Sequence, residues 1–175
     1  MTFSEYEKQA ITTRSYRKEI GIPYCALGLC GELGEFYEKL DSDELIDPKL
    51  IQQEVGDMLW YIALLRVELD LPEMEWFDRK PISPNNPFTL VIESGKIAEQ
   101  IKKYLHGTWE TGDESEVPEE RKEIISQSLT MILCVLNDLS RSLWDMELPE
   151  IAQMNLTKLA DRAKRNVIKG EGDVR

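Results

Sequence analysis

Apolar residues recur at helical spacing along almost the whole chain, and no run of alternating strand residues flanked by hairpin turns interrupts this pattern. The strongest signal is one apolar stripe made by Ile51, Val55, Met58, Ile62, Leu65 and Leu69. Asp47 and Pro48 precede it as an N-cap and a first helical residue, and the stripe predicts a helix that ends near Asp70. The chain is therefore predicted to be all-α, a helical bundle.

The same spacing predicts further helices before and after this one. They cover about residues 4–18, 22–41, 88–105, 118–144 and 149–167. Thr2 and Glu5 have the spacing of a capping box at the start of the first helix. The proline-rich segment 71–87 is predicted to be a linker, and the acidic segment 106–117, which contains two glycines, an exposed loop.

A chain of 175 residues suits one compact domain. We divide it into a half that holds the acidic motifs described below (1–77), a second helical half (88–167) and a flexible tail (168–175). The halves resemble a weak internal repeat, in which Glu32 lines up with Glu93 and Glu35 with Lys96. The repeat would be degenerate, because its second copy has Lys96 in place of the second acid and no ExxD pair follows at the expected distance. A chance match between amphipathic helices, or an oligomerisation insert, is the alternative.

The charge of the chain excludes some classes of function. With 33 acidic and 21 basic residues the net charge is −12, which repels phosphate backbones and argues against binding to nucleic-acid polymers. The longest apolar stretches, such as 58–65, are too short to span a membrane, and the N-terminus does not resemble a signal peptide. Three cysteines without a CxxC pair indicate reduced thiols, so we expect a cytoplasmic protein.

Two pairs of carboxylates differ from the many other acids of the chain by their surroundings. On a helical wheel Glu54 falls inside an apolar sector, Asp57 lies at its edge, and Glu32 borders a second apolar stripe. A carboxylate that faces a core costs several kcal/mol unless it is paired or binds a cation.

Residues three apart share a helix face, so Glu32 with Glu35, and Glu54 with Asp57, can each present two carboxylates to one ion. The short connection between the two helices would bring the four together. Oxygen ligands favour Mg²⁺ or Mn²⁺, whereas a chain with one histidine excludes multi-histidine sites. The alternative is that these acids are surface residues paired with Lys or Arg.

Three glycines lie beside the first carboxylate pair within one predicted helix. Gly28, Gly31 and Gly34 each cost about 1 kcal/mol relative to alanine. This cost suggests that another helix or a ligand approaches closely beside Glu32 and Glu35. A kinked helix is the alternative.

The C-terminal segment is basic in an otherwise acidic chain. Asn155, Lys158 and Arg162 follow one another at intervals of about one turn on one helix face, and Lys169 and Arg175 add cations in the tail. Such a row could bind phosphates, and the tail could close over a bound triphosphate. A solvated helix end whose cations complement the helix dipole is the alternative.

The carboxylate motifs also carry a family resemblance. The segments LGLCGELGE (27–35) and EVGDMLWY (54–61) resemble the ExxE and ExxD signature of the all-α nucleoside triphosphate pyrophosphohydrolases, the MazG-like superfamily. The segments NLTKLADR (155–162) and GEGD (170–173) resemble the C-terminal signature of bacterial and bacteriophage members.

The resemblance implies hydrolysis of a nucleoside or deoxynucleoside triphosphate to the monophosphate and pyrophosphate. It implies that a metal-activated water attacks the α-phosphorus, with Mg²⁺, for which Mn²⁺ can substitute, held by the four acids: Glu32, Glu35, Glu54 and Asp57. One of the four could act as general base instead of ligand. Lys158 and Arg162 would hold the phosphates, and Asn155 would orient sugar or phosphate.

The resemblance also implies a homodimer or homotetramer, and a phage-encoded member would act in the host cytoplasm. By analogy a guanine nucleotide is favoured over dUTP or dCTP. The candidates for stacking on the base are Tyr24, Phe36, Trp60, Tyr61 and Trp109, although core packing explains each of them too. A nucleotide- and metal-binding bundle without turnover, or a structural oligomer, is the alternative function.

Overall fold

The structure is a computed structural model that describes residues 1–42, 47–76, 86–111 and 116–165, with the backbone alone for 108–111. Within these ranges the chain is helical and contains no strand, which confirms the predicted all-α class. The helices are α1 (Phe3–Ala10), α2 (Gly21–Leu40), α3 (Pro48–Glu68), α4 (Phe88–Thr111), α5 (Glu119–Trp144) and α6 (Leu148–Lys164). Two short 3-10 turns, Ile11–Thr13 and Lys18–Ile20, connect α1 to α2.

The predicted helix starts are confirmed where a capping side chain marks them. Thr2 and Glu5 form the capping box of α1, with the Glu5 amide donating to the Thr2 hydroxyl at 3.1 Å. Asp47 accepts a hydrogen bond from the Lys49 amide at 3.0 Å and caps α3. These contacts involve residues two or three apart, so the local sequence alone sets them.

The end of the first helix was predicted wrongly. It stops at Ala10 and does not reach Lys18. The hydroxyls of Thr12 and Thr13 each donate at 2.7 Å to the carbonyl three residues earlier. Such bonds compete with the helical ladder and favour the tighter 3-10 turn that follows.

The fourth helix is longer than predicted. The segment from His106 was expected to be a loop, but α4 continues through Gly107 to Thr111. A single glycine costs a helix only about 1 kcal/mol, which does not end a helix that is already packed. The rest of the expected loop lies partly outside the described residues.

Two helical hairpins form the body of the fold. Helix α2 packs along α3 and α4 along α5, and the hairpins meet through contacts of α2 with α4 and of α3 with α5. Helix α2 runs antiparallel to α3, because its early residue Gly28 meets Tyr61 while its late residue Lys39 meets Glu54. Helices α1 and α6 pack against α3, and buried apolar side chains from all these helices form one cluster.

Helix α3 is the most enclosed of the helices. Neighbours contact it from several sides, namely α1, α2, α5 and α6. Its acidic residues Glu54 and Asp57 consequently lie next to the buried apolar side chains of the cluster. No helix in the described part of the chain is both long and apolar enough to cross a bilayer.

Candidate metal centre

Three carboxylates meet where α2 packs on α3. Glu32 of α2, Glu54 and Asp57 of α3 each offer one oxygen, and these oxygens lie within 4.8 Å of one another. The Glu54 side chain is fully buried, whereas Glu32 and Asp57 are half-buried. Oxygen ligands at this separation fit a hard divalent cation such as Mg²⁺ or Mn²⁺.

The crowding of negative charge is evident in the pKa of Glu32. Burial is the largest cause, and together with a hydrogen bond with Glu54 and repulsion from Asp57, Glu54 and Glu35 it raises that pKa from 4.5 to about 9. A proton on Glu32 thus lowers the charge of the cluster near neutral pH. A divalent cation would do the same for all three carboxylates, so the residues present fit the group that the resemblance implies.

The structure brings together three of the four predicted acids and leaves Glu35 at the edge. Its side chain is 57% exposed, and its Oε2 lies 4.0 Å from the Lys39 ammonium. Positions three apart on a helix differ in direction by about 60°, which is enough to turn Glu35 towards solvent while Glu32 faces α3. Lys39 also donates a hydrogen bond to Glu54 and so joins Glu35 to the cluster.

Helix α6 supplies polar contacts from the other side. The Asn155 amide nitrogen donates to Asp57 Oδ1 at 2.9 Å, and the Lys158 ammonium donates to Asp57 Oδ2 at 2.5 Å. The structure thus brings two predicted phosphate-binding residues to the predicted metal site. Arg162 is half-buried one turn further along α6, whereas Lys169 and Arg175 lie outside the described residues.

Asn155 orients Asp57 in this structure instead of offering an open amide to a sugar or a phosphate. It is only 3% exposed, and its amide oxygen accepts a hydrogen bond from the buried Tyr6 hydroxyl at 2.9 Å. Because Tyr6 donates, the Asn155 oxygen must face Tyr6, and its nitrogen then faces Asp57. Burial and the negative charge of Asp57 raise the pKa of Tyr6, so this hydroxyl keeps its proton.

Glycines allow the helices to approach each other beside the site, but not all of the predicted ones do so. A Cβ on Gly28 would lie 2.2 Å from the Tyr61 ring, and one on Gly56 would lie 3.0 Å from Asn155 Cβ. Among the described residues, nothing lies within 4 Å of a Cβ on Gly31 or Gly34. Close approach of another helix is therefore confirmed for Gly28, whereas no neighbouring helix in the described part of the chain approaches Gly31 or Gly34, for which approach of a ligand stays a prediction.

Sequence reasoning missed Lys39, Tyr6 and Gly56. Lys39 could have been noticed, because it follows Glu35 by four residues on the same helix. Gly56 interrupts the strongest apolar helix between two of the motif acids. No local signal connects Tyr6 with Asn155, which are 149 residues apart.

Burial reduces the set of aromatic residues that could stack on a base. Phe36 has no exposed surface, and Trp60 is 8% exposed and donates its indole proton to Thr13. Tyr24 is 37% exposed, and its ring centre lies 6.0 Å from that of Tyr61. These two tyrosines remain as candidates among the described side chains.

The fold and the site describe an all-α protein with an acidic cluster suited to a divalent cation. No protein-family model and no solved structure matches the chain. The chain is similar to the gene 37 protein of Mycobacterium phage L5, with 37% identity over 59 residues. This match covers 29% of the chain and 52% of the phage protein, so the chain spans about half the length of that relative. The name of the phage protein states no activity.

Proposed function

We propose that this protein is a metal-dependent pyrophosphohydrolase that converts a deoxynucleoside triphosphate to its monophosphate and pyrophosphate. The observation that carries the proposal is the carboxylate cluster, with oxygens of Glu32, Glu54 and Asp57 within 4.8 Å of one another. The resemblance of both acidic motifs to the MazG-like superfamily supports it. The contacts of α6 with Asp57 support it further, since they bring predicted phosphate ligands to the acids.

Acidic residues would hold the metal ion, and basic residues would bind the phosphates. Glu32, Glu54 and Asp57, with Glu35 beside them, would hold Mg²⁺, and Mn²⁺ would substitute. When bound, Mg²⁺ would supply neutralisation of the triphosphate charge and activation of a water molecule. A chain of net charge −12 repels a triphosphate, so side-chain cations must also contribute. Lys158 and Arg162 are the residues that we assign to this role.

The nature of the base and the assembly are also part of the proposal. Tyr24 and Tyr61 are the side chains that we assign to base stacking, with a guanine deoxynucleotide as first candidate by analogy. We propose a homodimer or homotetramer that acts in the cytoplasm. The similarity over part of the chain to a phage protein is in keeping with action in an infected host cell.

Pyrophosphate release from a panel of nucleoside triphosphates, with and without Mg²⁺, tests the proposal. We expect equal amounts of pyrophosphate and monophosphate from at least one deoxynucleotide, and only with a divalent cation. Glu54→Gln and Asp57→Asn should each abolish turnover while circular dichroism shows an intact fold. Glu38→Gln, which changes an exposed acid of α2, should behave as wild type. Near-normal activity of Asp57→Asn with saturating Mg²⁺ would contradict the proposed site.

One observation favours a second candidate, a structural helical bundle without turnover. Two of the three clustered acids already have lysine partners, Lys39 on Glu54 and Lys158 on Asp57, as in a purely structural ion-pair network. The same assay separates the candidates. No pyrophosphate release from any member of the panel, with or without Mg²⁺, would favour the second.

A further inference from the structure

Two lysines reach the acidic cluster from opposite helices. Lys39 of α2 donates to Glu54 and lies 4.0 Å from Glu35, while Lys158 of α6 donates to Asp57 at 2.5 Å. Both lysine side chains are largely buried, with 20% and 16% of their surface exposed. Each acid of α3 in the cluster therefore has an ammonium group against one of its oxygens.

The position of Lys39 is informative because it connects an exposed acid to a buried one. Its ammonium lies near both Glu35, the exposed acid of α2, and Glu54, the fully buried acid of α3. A fully buried carboxylate needs a positive partner, since leaving it alone is strongly destabilising. Lys39 thus supplies to these acids the positive charge that a metal ion would also supply.

A divalent cation and these ammonium groups compete for the same carboxylates. Like charges a few Å apart repel strongly in a partly buried site, where the effective dielectric is low. Binding of a cation to the cluster must therefore weaken the bonds of Lys39 and Lys158 to Glu54 and Asp57. Lysine has a flexible four-carbon stem with a point charge at its end, so its ammonium can move without moving the helix.

We infer that Lys39 and Lys158 stand in for the cation in the metal-free protein, and that they exchange the carboxylates for substrate phosphates once the cation binds. This inference rests on the proposed function and adds Lys39 as a further phosphate-binding residue. The exchange also frees Glu35 from Lys39, so that it becomes available as the fourth acid. A consequence is ordered binding, in which the cation precedes the triphosphate.

Labelling of lysine amines followed by mass spectrometry tests the exchange directly. The full chain is labelled alone, with Mg²⁺, and with Mg²⁺ in excess over inorganic triphosphate, the part common to all candidate substrates. We expect Lys39 and Lys158 to react slowly in the protein alone, several-fold faster with Mg²⁺, and slowly again when triphosphate is added. Lys96 is the internal control, because it pairs at 2.8 Å with Glu93 outside the cluster, and its reactivity should not change.

A second measurement uses the metal affinity of a variant. Lys39→Met keeps most of the apolar stem and removes the competing charge, so calorimetry should find Mn²⁺ bound at least about fivefold more tightly, in the usual range for coupled equilibria. The same variant should have a higher KM for the nucleotide. Lys39→Arg should restore the wild-type Mn²⁺ affinity, and Lys96→Met should leave it unchanged.

The outcomes distinguish this inference from the proposed function. If the wild-type protein binds Mn²⁺ and releases pyrophosphate while the labelling of both lysines is unaffected by Mg²⁺, the exchange is wrong and the proposed function stands. If the protein binds no Mn²⁺ at all, both are wrong. Should Lys39→Met fail to fold, the labelling of the wild-type chain decides alone.

Discussion

Single side chains set the electrostatic state of the acidic cluster. Glu54 has no exposed surface, and its charge is tolerated because Lys39 donates to it from α2. The negative charge of Glu32 is removed in a different way, since its raised pKa lets it keep a proton near neutral pH. Two neighbouring carboxylates are thus neutralised by different means, an ammonium group and a proton.

The raised pKa of Glu32 makes the stability of the metal-free protein depend on pH. Folding raises this pKa from 4.5 to about 9, so between these values the folded state binds a proton that the unfolded chain has released. The contribution of Glu32 is therefore present below the lower value and is lost as the pH rises towards the higher one. We expect the free energy of unfolding, measured in urea, to fall more steeply over this range in wild type than in Glu32→Gln.

The same proton must leave when a cation binds to Glu32. The affinity for Mn²⁺ should consequently rise with pH up to about 9, the raised pKa of Glu32. The control is Glu38→Gln. Because Glu38 is exposed, this variant should keep the pH dependence of the unfolding free energy and that of the Mn²⁺ affinity. Equal pH slopes of the unfolding free energy in wild type and Glu32→Gln would show that Glu32 does not titrate as described.

The Tyr6 hydroxyl orients Asn155, and replacing Tyr6 by phenylalanine deletes only the oxygen that makes this contact. Tyr6→Phe leaves the buried Asn155 oxygen without its donor, which costs about 1–3 kcal/mol of stability. The amide is then free to turn away from Asp57, so Mn²⁺ affinity and turnover should fall as well. Chemical denaturation and calorimetry on the same sample measure both effects.

Tyr37→Phe is the matched control for Tyr6→Phe. The Tyr37 hydroxyl donates to the Pro87 carbonyl, which belongs to none of the acids of the cluster. Its loss should lower stability and leave Mn²⁺ affinity unchanged. If both variants leave Mn²⁺ affinity and turnover unchanged, Asn155 does not depend on Tyr6 for its orientation.

The contact between α2 and α3 positions Glu32 against the acids of α3. The two helices approach closely at Gly28, where the Tyr61 ring occupies the space of a side chain. Gly21, at the start of α2, lies against the Glu68 carboxyl group in the same way, whereas Gly31 and Gly34 have no described residue beside them. The contact at Gly28 lies one turn before Glu32 and thus helps to fix its position.

Alanine substitutions on α2 distinguish these two kinds of glycine. Gly28→Ala should lower the free energy of unfolding by about 1–3 kcal/mol, because the added methyl group overlaps the Tyr61 ring. Gly31→Ala should raise it by up to about 1 kcal/mol, since alanine favours the helix and nothing obstructs its methyl group. Urea denaturation of the two variants measures the difference, and equal effects would contradict the packing described here.

The two hairpins of the molecule differ in the side chains that surround a buried or half-buried glutamate. In the second hairpin Glu93 is 7% exposed, accepts from the Ser128 hydroxyl at 2.8 Å, and pairs with Lys96. A serine and a lysine thus satisfy this carboxylate, whereas Glu32 faces two further acids. Within the described part of the chain the acidic cluster at Glu32 is the one group suited to a metal ion.

We therefore expect one metal centre in each chain. Calorimetry with Mn²⁺ should show binding that Asp57→Asn abolishes and Glu93→Gln leaves unchanged. The reason is that Glu93 already has a cation and a hydrogen-bond donor, so a metal ion would gain little there. Mn²⁺ binding that survives in Asp57→Asn and disappears when Glu93→Gln is added would indicate a second centre.

The sequence by itself determined the all-α class, the capped starts of α1 and α3, and the burial of Glu54. Helices and their caps depend on residues three or four positions apart, so a local pattern specifies them. The apolar stripe of α3 also specified which of its acids would face inwards, because the stripe and Glu54 share one helix face. For the same reason the two acidic motifs could be recognised before any contact between helices was known.

Only the tertiary structure decided which side chains meet at the acidic cluster. Periodicity gives the direction of a side chain around its own helix axis, but neither the neighbouring helix nor the distance to it. The exposure of Glu35, the open space at Gly31 and the contact of Tyr6 with Asn155 all depend on that packing. Lys39 reaches Glu54 because α2 and α3 pack closely and antiparallel, a relation between helices that no residue pattern within either one contains.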